Sequence, residues 1–280
     1  ANIIGGYDSL ATGNSTPNPT LYRTIFSGDI NGDDKVVMEG DCDYSFENFG
    51  DNMNTSMISM KVDCNVTISG IELTGMSARG TSPALISLSA PIGSEYIVKI
   101  DNCKLSVADK GIQVENVYEV HVVGCEFDYI SDSAFYTNAS NCHVVNSTFA
   151  YTNGVICDGI NSRSRIMNST FVKNSQDVCV SDNSDNSSSS TEIYNNTFIS
   201  CKNGGNLFVE DNVSASVAGN IFAGTPVSII KSNYEARQQS FANNLFASKN
   251  LNLGETVLEK GDVKLDDITS VYKYLLDGKY

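Results

Sequence analysis

The sequence predicts an all-β solenoid, and three observations predict it: a composition weighted to uncharged polar residues, a recurring apolar anchor, and a fixed alternation of side-chain character around each anchor. The chain has 280 residues, among them 30 asparagines, 35 serines and no tryptophan, with only 18% charged. A helical bundle needs Ala, Leu, Glu and Lys in quantity, whereas strands and turns suit this composition. The hydrophobic fraction of 41% is low but evenly spread, so one folded domain is expected rather than a disordered chain.

The anchors are Leu73, Leu105, Phe127, Phe149, Phe171, Phe198, Phe222 and Phe246, which step by 32, 22, 22, 22, 27, 24 and 24 residues. Repeats of this length, with no helical periodicity between anchors, belong to solenoids in which each unit buries its apolar face on its neighbours. Five positions before the anchors stand Ile68, Ile100, Val122, Val144, Ile166, Ile193, Val217 and Phe241, all apolar, as an inward strand position requires. One position earlier stand Thr67, Lys99, His121, His143, Arg165, Glu192, Ser216 and Ser240; none is apolar, so these face outward. Three positions before each anchor only Asn or Gly occurs: Gly70, Asn102, Gly124, Asn146, Asn168, Asn195, Gly219 and Asn243. Both residues tolerate a left-handed backbone, which predicts a sharp bend there, with stacked asparagine amides bonding from rung to rung.

This rhythm resembles right-handed parallel β-helix proteins of the pectate-lyase-like superfamily, over roughly residues 25 to 246. Ile4-Gly5-Gly6-Tyr7 and the run from Tyr22 to Asp34 are similar to the opening of secreted bacterial β-helix proteins, many of which carry carboxy-terminal anchoring modules. The resemblance implies three parallel sheets, about nine or ten coils spaced about 4.8 Å apart, and an extracellular or cell-surface bacterial location. The solenoid is expected over 1–255, with an acidic insertion at about 29–54. In 256–280, Val263, Ile268, Val271, Tyr272, Leu275 and Leu276 lie at helical spacing around Asp266 and Asp267, which predicts a short C-terminal helix or the edge of an anchoring module. Asn2 to Tyr7 reads as the end of a strand entering a turn, so a leader and an amino-terminal cap are expected upstream.

Charge and hydropathy narrow the partners. The formal charge is −15, and 18 basic residues are scattered among 33 acidic ones, which excludes the clustered Lys and Arg of nucleic-acid binding. No apolar run approaches the length of a transmembrane helix. A monomer is expected. Cys42 and Cys64, Cys103 and Cys125, and Cys157 and Cys179 are each 22 residues apart, one period, which allows either stacked thiols or bridges between rungs. No Cys-x-x-Cys pair suggests a zinc site through sulfur.

The leading candidate for binding is the outward stripe Lys99, His121, His143 and Arg165, four cationic or titratable groups on consecutive rungs. Such a stripe suits the carboxylates or sulfates of a polysaccharide or surface glycan, although a solvated strand face gives the same alternation. Tyr129 and Tyr151, two residues after their anchors, are candidates to stack on sugars. Asp29, Asn31 and Asp33 alternate oxygen donors as a calcium loop does, making Ca2+ the one cofactor suggested, but Asp34 and Gly40 stand where such a loop has Gly and Glu. For catalysis, His121 and His143 are candidate proton acceptors. Asp177-Val178-Cys179-Val180 resembles the paired-aspartate segment of polygalacturonases, which implies Asp177 as a candidate, with Gln176 in place of an aspartate and no Gly-His-Gly in the chain. The function expected is non-catalytic glycan binding or adhesion; the alternative is a polysaccharide lyase or glycoside hydrolase acting on an acidic polysaccharide.

Overall fold

The computed structural model describes residues 1–10, 15–76, 83–182, 188–199, 207–209, 213–223, 239–247 and 261–265. Short strands alternate with bends, and each strand pairs in parallel with its counterpart one coil away, so three parallel sheets wrap one core: a parallel β-solenoid. The first sheet has nine strands, from Asn2–Ile4 to Gln239–Ala242; the second has ten, from Thr24–Ser27 to Val263–Leu265; the third has seven, from Ile58–Lys61 to Leu207–Val209. Seven turns give a strand to all three sheets, the first through Asn2–Ile4, Thr24–Ser27 and Ile58–Lys61, the last through Ser190–Tyr194, Thr197–Ile199 and Leu207–Val209. The nine or ten coils expected from the anchors exceed these seven; among the described residues the first two sheets run on past them at the carboxy end.

The period-two alternation sets the register. Ile68, Ile100, Val122, Val144, Ile166, Ile193, Val217 and Phe241 pair rung to rung and are all buried. The eight Asn or Gly residues before the anchors all have positive φ, between 51° and 68°. The anchor phenylalanines from Phe127 to Phe246 form one buried column with ring centroids 4.6–5.1 Å apart, close to the strand spacing itself.

Rung-to-rung side-chain bonding is displaced by one residue from its expected place. In these bends the left-handed asparagines are exposed, and the next residue turns inward: Ser147, Ser169, Asn196, Asn220 and Asn244 are all buried. The backbone N–H of Ser169 donates to Asn196 Oδ1 (2.9 Å), that of Asn196 to Asn220 Oδ1 (2.9 Å), and that of Asn220 to Asn244 Oδ1 (3.1 Å). Nδ2 of the same three asparagines donates to the carbonyls of Ile166, Ile193 and Val217 at 2.8–2.9 Å. Bend geometry and interior hydrogen bonding are thus divided between adjacent residues.

The acidic insertion contains an antiparallel hairpin, Lys35–Met38 with Tyr44–Glu47, folded back along the stack. At the other end Val263–Leu265 is a strand paired with Leu245–Ala247, so the solenoid passes the boundary expected at 255; the rest of the expected helix, 266–280, lies outside the described residues. Among the described residues the only helix is the 3-10 turn Phe49–Asp51, and none is long and apolar enough to cross a membrane. Cys103 and Cys125 are stacked thiols, but Cys157 pairs with Val180 rather than Cys179, and its buried Sγ lies 3.4 Å from Cys142 Sγ. Cys42 is disulfide-bonded, and not to Cys64, which is a thiol.

Candidate functional site

On the outer face of the first sheet, Lys99, His121, His143 and Arg165 stand in strict register on four successive strands. Their neighbours on those strands, including Val98, Val120, Cys142 and Ile166, are buried, so alternation alone aims the four outward. The histidine rings stack with centroids 4.8 Å apart and planes 11° from parallel. Lys99 is exposed, while Arg165 Nε donates to Glu192 Oε2 on the next rung at 2.7 Å.

The sequence reading missed Glu119. It lies two residues before His121 on the same strand and hence on the same face; a reading of every second residue around the stripe would have found it. Its Oε1 is 2.7 Å from His121 Nε2 and 3.3 Å from His143 Nε2. Burial, aided by the nearby His121 and Arg165, holds the His143 pKa below the ordinary histidine value against the pull of Glu119 and Glu192. His143 is therefore neutral at neutral pH and becomes a cation only in acid.

Beside the charged column runs a second outward column, Val123, Val145, Met167 and Tyr194, all half-buried. The face pairs a polar stripe with an apolar one, on an open sheet. A cavity of about 280 Å³ lies instead along the first bend, by Arg23, Glu72 and Lys104, and one of about 450 Å³ lies beneath the hairpin, by Tyr44, Tyr151 and Lys173.

The other candidates stand apart from this face. Tyr129 and Tyr151 do stack, with centroids 4.9 Å apart, but at a second left-handed bend where the hairpin meets them: Tyr44 packs edge-on against Tyr129 at 5.4 Å. Lys173 Nζ lies 5.6 Å over the Tyr151 ring and 2.7 Å from Asp41 Oδ1. Asp177 is fully buried and accepts from Asn174 Nδ2 (2.9 Å), while Asn174 Oδ1 accepts from the Thr152 N–H (2.9 Å). The catalytic candidate Asp177 thus lies inside the stack, away from solvent and from the stripe on the first sheet.

In the acidic loop, the carboxylates of Asp29, Asp33 and Asp34 offer oxygens within 4.8 Å of one another. The Asp29 carboxylate accepts from the N–H groups of Gly32 (2.7 Å), Asp33 (3.3 Å) and Asp34 (3.3 Å), shaping the loop. Asn31, the third expected ligand, donates its amide Nδ2 to Asp51, and Asp34 joins Asp29 and Asp33 in the carboxylate cluster. Oxygen donors of this kind fit a hard cation. No protein-family model, curated protein or solved structure matches the chain.

Proposed function

We propose that this is a non-catalytic extracellular or cell-surface protein, of the secreted bacterial kind within the pectate-lyase-like superfamily, that binds an anionic polysaccharide across the rungs of the first sheet. The observation that carries the reading is the in-register column Lys99, His121, His143 and Arg165 beside the apolar column Val123, Val145, Met167 and Tyr194. Linear glycans offer periodic anionic groups on one side and apolar sugar faces on another, and one strand per rung presents both kinds of partner to them. The likeness of residues 4–7 and 22–34 to secreted β-helix proteins supports the location. Against a formal charge of −15, with Glu119 and Glu192 close by, attraction at neutral pH is weak; protonation of His143 in acid strengthens it.

Retention on immobilised sulfated and uronate polysaccharides tests this. Lys99→Ala with Arg165→Ala is expected to cut retention roughly three- to tenfold, since exposed charge contacts are each worth about 0.2–1 kcal/mol, and wild-type retention on the sulfated matrix should rise in acid, below the ordinary histidine range, as His143 gains its proton. Unchanged retention in the double variant sinks the reading. Release of reducing ends or unsaturated uronate, abolished by His143→Ala, would replace it with the lyase or hydrolase alternative.

A further inference from the structure

Glu119, His121 and His143 bring three metal-ligating atoms to one point on an open sheet, within 4.8 Å of one another. A glycan-binding stripe has no need of that convergence. A tetrahedral zinc ion, with bonds of about 2.0–2.2 Å to nitrogen and oxygen, sets its ligand atoms roughly 3.3 Å apart. Two of the three separations, 2.7 Å and 3.3 Å from Glu119 Oε1 to the two Nε2 atoms, are already close to that value. The third closes by rotating the stacked imidazoles toward each other about χ2, a soft torsion. The backbone needs no adjustment, because the parallel register fixes the two rings on adjacent strands.

We infer that Glu119, His121 and His143 form a binding site for a divalent transition-metal ion of the zinc type, with three protein ligands and a fourth position open to solvent. The donor chemistry selects the ion class: two imidazoles and one carboxylate favour zinc, copper or nickel, whereas calcium and magnesium require oxygen. On binding, a proton held on either Nε2 leaves or moves to Nδ1, freeing that lone pair for the metal, and the Glu119 carboxylate turns from ion-pair partner to ligand. The surrounding charges are mixed. Arg165, one rung from His143, is already paired with Glu192, and Lys99, one rung from His121, is the remaining like charge beside the site.

Lys99 gives the two readings of this face opposite signs. Removing it weakens retention of an anionic glycan but strengthens, or leaves unchanged, the binding of a cation. The experiment is calorimetric titration of the chelator-stripped full chain with zinc chloride at pH 7.5, with cobalt(II) absorption to distinguish nitrogen and oxygen ligation from thiolate ligation. One saturable site with a spectrum free of thiolate charge transfer is expected. Glu119→Gln and His143→Ala should each weaken it by at least roughly tenfold, and Lys99→Ala should not weaken it. Glu119→Gln is the conservative variant on a half-exposed residue, and its circular dichroism checks folding. Absence of saturable binding, a thiolate spectrum, or affinity unchanged in both ligand variants overturns the inference. None of those results alters the polysaccharide retention of the Lys99 and Arg165 variants, so the two readings fail separately.

Discussion

Asp34 shows how a single side chain can set the pH response of the acidic loop. Its Oδ1 is buried without a hydrogen-bond partner, as is Oδ1 of Asn52, whose Nδ2 donates to the other Asp34 oxygen at 2.6 Å. Burial, with the charges of Asp29, Asp33 and Asp51, raises its pKa above the ordinary carboxylate value, and the Asn52 hydrogen bond opposes the rise. The folded state therefore holds the proton more tightly than the unfolded chain. The favourable contribution is fully present below the unfolded pKa and is lost as pH rises through the folded one. Asp34→Asn keeps the shape and removes the charge, so in chelator it should raise Tm at pH 7, with the advantage shrinking toward pH 4. No difference at pH 7 refutes this. Adding calcium in the same assay tests the ion-binding expectation: stabilisation of wild type alone supports it, and no shift in either protein removes it. Single residues also explain what was legible. Asn and Gly at the first bend announce a left-handed backbone, but the second bend is made by Val107, Tyr129, Tyr151 and Lys173, all with φ of 52–54°. These types rarely adopt that region, so only tertiary context dictates the bend, and no sequence signal marks it.

Among the elements, the inward ladder is more informative than the strands. The strand register follows directly from apolar and polar alternation, which is why the stripe from Lys99 to Arg165 was legible with its neighbours. The ladder was assigned to the wrong residue of each bend because the sequence shows that Asn clusters there, not which of two adjacent side chains points inward. A left-handed residue turns its side chain out and reverses the sense of the next one. Asn220 shows the consequence: its Oδ1 accepts from the Asn196 backbone and Nδ2, and its own Nδ2 donates to the Ile193 carbonyl and to Asn244. Asn220→Ala leaves several buried groups without partners and should cost about 2–4 kcal/mol in urea unfolding. Asn220→Ser should recover part of that, since Ser147 and Ser169 hold the same place in earlier coils and accept the preceding backbone N–H at 3.2 Å. Equal losses for Ala and Ser would show that volume, not hydrogen bonding, determines the position.

At the scale of the whole molecule, a solenoid whose coils touch only their neighbours should unfold in pieces, with stability summed over coils and interfaces. The hairpin Lys35–Met38 and Tyr44–Glu47 breaks that rule. It leaves the chain between the first strands of the stack, yet Tyr44 packs on Tyr129 in the fourth full turn, and Asp41 meets Lys173 in the sixth, 132 residues away. The ion pair itself is weak, since the Asp41 side chain is 82% exposed. The apolar contacts hold more: Tyr44 is edge-on to both Phe46 and Tyr129, and burial with the nearby charges of Asp109 and Asp128 pushes its hydroxyl pKa up. The disulfide at Cys42 ties the same segment covalently. The hairpin thus acts as a strap that couples coils otherwise joined only through intermediates. Replacing residues 35–47 with a short Gly-Ser linker should convert one urea transition into two, each with an apparent m of roughly half the original, because m follows the surface exposed by each cooperative unit. Lys173→Met, which removes the ion pair and the cation over the Tyr151 ring but keeps the hairpin, should leave a single transition with its midpoint nearly unchanged. Backbone amide exchange should then show the strands before Val145 opening independently of those after it. If the linker variant still unfolds in one transition of unchanged m, the stacked interior alone carries the cooperativity, and the hairpin is only a cover over the Tyr129 and Tyr151 bend.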